Sequence, residues 1–157
     1  MKDKPGRFIA KPQLQIAALP WRRADKLEIL LVTSRETRRW VLPKGWPMKG
    51  RKAYAAAARE ALEEAGIVGN IAKEPLGAFH YVKRLKNGST RMCRVDVYPF
   101  EVTLERPTWL EKSQRTRRWF SLEDPVAAVD EPELRAMVQA FGMNASGQAN
   151  SASKDEL

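Results

Sequence analysis

Hydrophobic residues are concentrated in two runs near the start of the chain, and charged residues separate them. The runs cover residues 13–21 and 27–34, and both are rich in aliphatic and β-branched side chains. Two such runs joined by a short polar segment, here residues 22–25, are typical of a β-hairpin. Residues 40–42 predict a third short strand, which Pro43 ends because proline has no backbone N–H to donate.

An alanine-rich segment predicts the most regular helix of the chain. Residues 53–65 are nearly all strong helix formers, and Gly66 follows where a left-handed residue commonly ends a helix. At about 100° per residue, Glu63 and Glu64 fall about 60° to one side and about 40° to the other side of Glu60, so these carboxylates share one face. We expect the opposite face to pack on the core, and it carries Ala55, Ala58, Leu62 and Ala65.

A second hairpin is predicted after this helix. Residues 76–85 and 90–104 are the two hydrophobic segments, and the Asn87-Gly88 pair between them favours a tight type I′ turn. Residues 117–120 predict a last strand. Strands are therefore expected on both sides of the helix in the sequence.

Two short helices are predicted towards the C-terminus. Ser121 with Asp124 three residues later resembles a capping box. Asp130 before Pro132 resembles a second helix start, and Gly142 is the expected end of that helix.

The composition predicts one folded domain followed by a tail. Hydrophobic residues make up 43% of the 157 residues and charged residues 30%, which excludes both a disordered chain and a membrane protein. We expect a single domain over residues 1–142 and a disordered tail of small and polar residues over 143–157. Residues 154–157, KDEL, match an endoplasmic-reticulum retention signal, which we interpret as coincidence because no secretory signal opens the chain. The single cysteine, Cys93, fits the reducing cytoplasm, where we expect the protein.

The net charge of +9 indicates a partner that carries phosphate. Residues 1–52 carry an excess of 10 positive charges, and residues 80–118 carry an excess of 6. These positive residues are interleaved with the predicted strands, so they belong to a folded surface and not to a basic, low-complexity arm. A compact polyphosphate suits this distribution better than a long nucleic-acid strand.

The carboxylates of the predicted helix point to a divalent cation. Like charges three and four residues apart on a helix repel each other, and Mg²⁺ bound to carboxylates and substrate phosphates would relieve them. A glutamate pattern alone is usually a solvated helix face, but the preceding loop over residues 43–52 changes this interpretation. The loop adds Gly45, Gly50 and four basic residues next to the carboxylates.

This loop and helix resemble the Nudix box, G-x5-E-x7-R-E-U-x-E-E-x-G-U, in which U is an aliphatic residue. The resemblance covers residues 45–67, and the order of strands, loop, helix and hairpin extends it to about residues 10–140. The matching positions are Gly45, Arg59, Glu60, Ala61, Glu63, Glu64, Gly66 and Ile67. Arg51 departs from the box, because it stands where the first glutamate would. The resemblance implies an α/β/α sandwich around a mixed β-sheet, and hydrolysis of a diphosphate linkage with Mg²⁺ or Mn²⁺.

The same resemblance implies roles for the box residues. Glu60 and Glu64 would be metal ligands, and Glu63 would be a ligand or the proton acceptor for the attacking water. Arg59 would hold the side chain of Glu60. The general base stays open, and two acids of a later strand are the alternatives: Asp96 and Glu101. We expect activity to survive the change to Arg51, because three carboxylates remain.

Further segments are similar to one branch of the family, the diphosphoinositol polyphosphate phosphohydrolases and their bacterial relatives. These segments are WVLPKGWP, CRVDVY and RRWF, which begin at residues 40, 93 and 117. That branch binds a crowded anionic ring through lysines and arginines. The resemblance therefore implies these substrate contacts: Arg22, Arg35, Lys44, Gly45, Arg51, Arg91 and Arg117. Aromatic residues with the chemistry to stack a base are Trp21, Trp40, Trp46 and Tyr81.

We therefore predict metal-dependent hydrolysis of a phosphoanhydride in a small polyphosphorylated molecule. Diphosphoinositol polyphosphates and dinucleoside polyphosphates are the foremost substrates, and nucleoside diphosphate sugars and nucleotides are the alternatives. A small RNA-binding module is an alternative of another class, which would use exposed aromatic residues without metal-dependent turnover. The expected partner is a small molecule and not a membrane, and nucleic acid is disfavoured. The oligomeric state stays open.

Overall fold

The computed structural model describes residues 11–122, 124 and 128–155. Its strands are β1 (Gln13–Arg23), β2 (Leu27–Thr33), β3 (Trp40–Val41), β4 (Lys44–Gly45), β5 (Ile67–Ile71), β6 (Gly77–Arg84), β7 (Thr90–Glu105) and β8 (Arg117–Ser121). The helices with complete bounds are α1 (Ala53–Ala65) and α2 (Pro132–Asp155). Among the residues described, no helix combines the length and the hydrophobicity that crossing a membrane requires.

The strands that the structure describes form a mixed sheet. β1 and β2 make the predicted first hairpin, with Trp21 opposite Ile29, and β6 and β7 make the second. β1 and β7 are parallel neighbours at the centre, paired from Gln13 with Cys93 to Trp21 with Glu101. Parallel neighbours need a long crossover connection, and α1 lies within it, so the helix is carried against the sheet.

The hydrophobic pattern misses two short strands that flank α1 in the sequence. β4 pairs with β1 opposite Ile16 and Ala17, although its residues lie in a glycine- and proline-rich loop. β5 follows Gly66, which has a φ of 67° and ends α1 as predicted. β5 pairs with β7, and its register shifts between Val68 and Gly69. Pairing with the central strands, more than local propensity, creates both elements.

Alternate residues of β1 face opposite sides of the sheet. Ile16 and Ala18 join the buried cluster beneath α1, whereas Ala17 and Leu19 join the cluster beneath α2. Helices therefore cover the sheet on both faces. The predicted α/β/α sandwich around a mixed sheet is confirmed.

Our prediction of the core-facing side of α1 is wrong, except at Ala65, which is buried. The buried residues of α1 are Ala56, Ala57, Ala61, Glu64 and Ala65, whereas Ala55, Ala58 and Leu62 are half-buried. The buried face is thus the one that carries the carboxylates. Small alanine side chains let this face approach the sheet closely, and Glu64 is buried with them.

α2 begins at Pro132, as predicted, but it does not end at Gly142. Gly142 lies inside the helix against Leu122, where a Cβ atom would be 2.3 Å from Leu122 Cδ1. The glycine therefore serves close packing and does not end the helix, which continues to Asp155.

The other predicted C-terminal helix falls largely on residues 123 and 125–127, which lie outside the described residues. At its start, Ser121 Oγ lies 3.2 Å from Asp124 Oδ2. A domain that ends at residue 142 and a disordered tail after it stay predictions. Residues 144–155 are small or polar in sequence.

Candidate active site

β4 lies against the carboxylates of α1. Glu64 is buried, with 6% of its surface exposed, and the backbone N–H of Lys44 donates to its Oε1 at 3.3 Å. Gly45 lies against the half-buried Glu60, because a Cβ atom on Gly45 would be 2.3 Å from the Glu60 carboxyl carbon. The fold thus brings the predicted loop and the predicted carboxylates together.

Arg59 holds a different carboxylate from the one that the resemblance implied. Its Nε donates to Glu63 Oε2 at 2.7 Å. Residues four apart on a helix lie side by side, whereas sequence neighbours point about 100° apart, so Arg59 reaches Glu63 more easily than Glu60. The partner of Arg59 is therefore corrected from Glu60 to Glu63.

The loop over residues 106–116, which we call the capping loop, supplies two charged residues that sequence reasoning missed. Arg115 lies 3.3 Å from Glu64 Oε2 and 2.7 Å from Glu111 Oε1. It also donates to the backbone oxygen of Thr33 at 3.0 Å. In the sequence, the four-residue spacing from Glu111 to Arg115 indicates that these two residues can pair with each other. It does not indicate that their loop contacts α1.

The capping loop is fixed to the last turn of α1. The backbone N–H of Glu111 donates to Glu63 O at 3.0 Å, and Trp109 Nε1 donates to Glu64 O at 2.9 Å. These donors satisfy carbonyl groups that the end of a helix leaves unpaired. The carboxylates therefore lie on a helix end that a neighbouring loop holds in place.

Burial and mutual repulsion make these carboxylates difficult to ionise. The pKa of Glu60 is raised to about 7, first by burial and then by the carboxylates of Glu63 and Glu111. Burial also raises the pKa of Glu64 to about 7, although Arg115 opposes the change. The negative charge is thus incompletely compensated near neutral pH, and this favours a cation.

The acids fit a hard divalent cation such as Mg²⁺ or Mn²⁺. Glu60 and Glu64 present oxygen atoms, the donor type that both ions prefer, and their raised pKa values show that a positive charge would relieve them. Within the described ranges, no group of three or more His, Cys, Asp and Glu side chains forms a ready ligand set. Substrate phosphate oxygens and water would complete the coordination, as is common for Mg²⁺.

A group of cations lies beside β4 on the α2 side of the sheet. Lys83 on β6 is paired directly with Arg91 on β7, and Lys44 Nζ lies 5.2 Å from the ring centre of Tyr81. We call Lys44, Lys83 and Arg91 the cationic cluster. Burial lowers the pKa of Lys44, Glu64 opposes this, and Lys83 adds to it, so the two lysines are electrostatic neighbours. Arg91 Nε is buried without a hydrogen-bond partner within the described residues.

Two of the other predicted substrate contacts are engaged in structural interactions. Arg22 pairs with Glu28 at 2.7 Å, and its guanidinium lies 4.0 Å from the ring centre of Trp119. Arg117 donates to Ala65 O at the end of α1 at 2.8 Å. Both arginines therefore have structural partners, and their contact with a substrate stays a prediction.

Arg51 and Arg35 lie at different parts of the fold. Arg51 borders a groove between α1 and β5, together with Arg59 and Val68. Arg35 lies between β2 and β3 and donates to Gln114 of the capping loop at 3.2 Å. Arg35 is therefore placed near the loop that carries Glu111, whereas Arg51 lines a separate groove.

The identity of the general base stays a prediction. Asp96 Oδ1 accepts a hydrogen bond from Arg94 Nε at 3.1 Å, and Glu101 is exposed on β7. Glu111 raises the pKa of Glu60 and of Glu64, and therefore lies near both. It joins Glu63 as a candidate.

Comparison with known proteins identifies the family. The sequence model of the NUDIX domain matches residues 11–141, a range that contains β1 to β8, α1 and the capping loop. The chain belongs to the NUDIX family. The box of this NUDIX domain is built from β4 and α1, and the resemblance seen in the residues is confirmed.

Curated relatives of this NUDIX domain are known from plants and humans. The chain is 27% identical over 140 residues to Nudix hydrolase 13, mitochondrial, of Arabidopsis thaliana, which covers 85% of this chain and 68% of that protein. It is 34% identical over 113 residues to diphosphoinositol polyphosphate phosphohydrolase 3-beta of Homo sapiens, over 70% of this chain and 65% of that protein. The chain spans 68% of the length of Nudix hydrolase 13 and 51% of the length of Nudix hydrolase 12, both mitochondrial proteins of Arabidopsis thaliana by name.

Solved structures share the fold of this NUDIX domain. The Ap4A hydrolase of C. elegans matches with a TM-score of 0.61 and 22% identity, over 86% of this chain and 99% of that one. A NUDIX hydrolase from Nitrosomonas europaea matches with a TM-score of 0.67 and 20% identity, over 85% of this chain and 90% of that one. At these identities the likeness shows the fold alone.

Proposed function

We propose that this NUDIX domain hydrolyses a phosphoanhydride bond in a small polyphosphorylated molecule, with Mg²⁺ or Mn²⁺ as its cofactor. The observation that carries the proposal is the pair of acids Glu60 and Glu64, whose pKa values are raised to about 7 beside Lys44 and Gly45. Buried like charges are costly unless a cation joins them. A site of this kind is suited to bring a metal ion and a phosphate together.

In the proposed reaction, water attacks one phosphorus atom, the bond from that atom to the bridging oxygen breaks, and a proton is released. A divalent cation supplies Lewis-acid stabilisation of the phosphate oxygens and lowers the pKa of the attacking water. Glu60 and Glu64 would hold this cation. Glu63, which Arg59 orients through one oxygen, would accept the proton with its carboxylate, and Glu111 is the alternative acceptor.

We propose further that the cationic cluster binds the part of the substrate that is not cleaved. Within the described residues, no acid lies within ion-pair distance of the side chains of Lys44, Lys83 and Arg91, although Glu64 attracts Lys44 from further away. Their charge can therefore act on phosphates. This supports a highly phosphorylated substrate, such as a diphosphoinositol polyphosphate or a dinucleoside polyphosphate, over a nucleoside diphosphate sugar. Trp46, which is 44% exposed and two residues after Lys44, offers a ring for a nucleobase and keeps the dinucleoside polyphosphates in consideration.

A panel of substrates tests the proposal. Diphosphoinositol polyphosphates, diadenosine polyphosphates, ADP-ribose and nucleoside triphosphates are incubated with Mg²⁺ or Mn²⁺, with and without EDTA, and the products are separated by chromatography. We expect metal-dependent cleavage, and Glu64→Gln to lower kcat by about 100-fold or more. Glu74→Gln, at an exposed position, is the matched control. If no substrate is cleaved with either metal, the proposed hydrolase activity is rejected. If Glu64→Gln turns over substrate at the wild-type rate, the assignment of Glu64 to the active site is rejected.

An RNA-binding module is less well supported by the structure. Binding of single strands usually uses several exposed rings on which successive bases stack. Of the aromatic side chains that the structure describes, Trp46 is the exposed one, whereas Trp21, Trp40 and Tyr81 pack against the core beneath α2. Tight binding of a short RNA in EDTA, with no turnover of any substrate in the panel, would reverse this preference.

We also propose a cytoplasmic location, which rests on the single cysteine, Cys93. Several Arabidopsis relatives are named as mitochondrial. Cell fractionation with an antibody to the native protein distinguishes the two compartments.

A further inference from the structure

Arg115 lies where the capping loop, α1 and β2 meet. Its side chain is only 8% exposed. Its Nε lies 2.7 Å from Glu111 Oε1, its Nη2 lies 3.3 Å from Glu64 Oε2, and its Nη1 donates to Thr33 O at 3.0 Å. Each nitrogen of the guanidinium therefore contacts a different element of the fold.

We infer that Arg115 is a positioning residue of the candidate active site, which fixes the Glu64 carboxylate for a divalent cation without touching the substrate. The inference rests on the proposed function. A planar guanidinium offers donors in fixed directions, so it sets the position and the orientation of Glu64 and Glu111 together. A carboxylate keeps free lone pairs after such contacts, so Glu64 can still bind a cation.

The capping loop has attachments of its own, and these separate a positioning role from a structural one. The backbone N–H of Thr116 donates to Thr33 Oγ1 at 2.9 Å, and the backbone N–H of Thr33 donates to Thr116 O at 3.0 Å. The backbone N–H of Glu111 is bonded to Glu63 O at 3.0 Å. None of these bonds involves the side chain of Arg115. Removal of the guanidinium therefore frees the Glu111 carboxylate and Oε2 of Glu64, while Oε1 of Glu64 keeps its bond from the Lys44 backbone N–H and the loop backbone stays attached.

Charge and positioning make opposite predictions for metal binding. A positive group beside a cation site repels the cation, so its removal would strengthen binding if charge were the whole effect. Loss of a residue that orients a metal ligand instead weakens binding, by about 10- to 100-fold. The sign of the change therefore decides between the two effects.

Mn²⁺ binding to the metal-free protein, measured by isothermal titration calorimetry, tests the inference. The variants are Arg115→Met and Arg115→Lys, and Arg118→Met is the matched control, because Arg118 is an exposed arginine three residues away. We expect both Arg115 variants to bind Mn²⁺ about tenfold more weakly than the wild type, and the control to bind normally. In activity assays with saturating Mn²⁺ and the substrate that the panel identifies, we expect kcat of both Arg115 variants to fall about tenfold and their KM to stay within about twofold.

Tighter or unchanged Mn²⁺ binding by Arg115→Met, with Arg115→Lys equal to the wild type, overturns the inference, because charge alone then explains the data. Thermal unfolding curves check that each variant folds, and Arg115→Lys decides if Arg115→Met does not. The proposed function fails separately: a wild type that cleaves nothing, but whose Mn²⁺ binding weakens in both Arg115 variants, rejects the function and keeps the inference. If instead the wild type cleaves a substrate, and both Arg115 variants keep its kcat and its affinity for Mn²⁺, the function is kept and the inference is rejected.

Discussion

Gly45 and Glu60 lie so close together that no side chain fits between them: a Cβ atom on Gly45 would be 2.3 Å from the Glu60 carboxyl carbon. The backbone of Gly45 is held by the pairing of β4 with β1, opposite Ile16. The Glu60 carboxylate, in contrast, is the far end of a flexible side chain. A side chain at position 45 would therefore move the carboxylate and leave the backbone in place.

We predict that Gly45→Ala lowers kcat by about tenfold or more, because the displaced Glu60 carboxylate no longer holds the cation in the productive position. The melting temperature should change by less than about 3 °C, since the flexible side chain absorbs the clash. Steady-state kinetics and thermal unfolding measure the two effects. Gly77→Ala is the control, because its Cβ atom would lie 3.4 Å from Met137 Cε, at an ordinary contact distance. Wild-type kcat in Gly45→Ala would contradict the placement of Glu60.

The raised pKa of Glu60 predicts that the metal-free protein loses stability as the pH rises from 4.5 to about 7. The folded state binds the Glu60 proton more tightly than the unfolded state, so this contribution is fully present below the unfolded pKa and is lost as the pH passes the folded one. The buried Glu64 acts in the same direction. Thermal unfolding in EDTA between pH 5 and pH 8 measures the decline.

Removal of the charge at Glu60 should remove part of this decline. We predict that Glu60→Gln in EDTA melts a few degrees higher than the wild type at pH 8, while it loses metal-dependent turnover. Mg²⁺ should narrow the difference, because it stabilises the wild type more than the variant. Glu74→Gln, at an exposed position, controls for the loss of a negative charge. A lower melting temperature for Glu60→Gln at pH 8 would show that its carboxylate is already compensated.

Arg51 allows the departure from the box to be tested directly. Arg51 borders a groove between α1 and β5, and the α1 residues of this groove, such as Ala55 and Leu62, point away from Glu60 on the helix. We therefore predict that the charge of Arg51 matters little to Glu60 and Glu64. Arg51→Glu, which restores the glutamate of the box, should change kcat and the Mg²⁺ concentration for half-maximal activity by less than about threefold. Lys49→Glu, an equal change of charge in the same loop, is the control. A larger gain in Arg51→Glu alone would mean that the missing glutamate is a metal ligand.

The local sequence was sufficient to predict the elements that have strong local signals or a regular hydrophobic pattern. The bounds of α1 follow from its alanines and from Gly66, and both hairpins follow from their hydrophobic runs. β4 and β5 exist because they pair with β1 and β7, which no short segment reveals. The predicted buried face of α1 was wrong for a related reason: Glu64 is buried among four alanines, and the polarity pattern of a helix does not reveal a buried carboxylate.

The residues of the candidate site likewise include some that the sequence predicts and some that it does not. The box residues lie within one loop and one helix, so their spacing alone brings Glu60 and Glu64 together. Glu111 and Arg115 come from a distant loop with no regular pattern, and only the way it caps α1 places them there. The ion pair of Arg22 with Glu28 was not predicted either, because a charged residue in a sequence does not show which acid it pairs with.

Lys83 and Arg84 are neighbours on β6 whose side chains face opposite sides of the sheet. Lys83 lies opposite Arg91 in the cationic cluster, whereas Arg84 lies opposite Thr90. We predict that Lys83→Met raises KM for a highly phosphorylated substrate by about fivefold and leaves kcat within about twofold, because this contact forms equally in the ground and transition states. Arg84→Met removes the same charge from the other face and should leave KM unchanged. The difference should shrink at high salt, since screening weakens exposed charges. An equal rise of KM in both variants would show that the net charge of the protein, and not the cationic cluster, attracts the substrate.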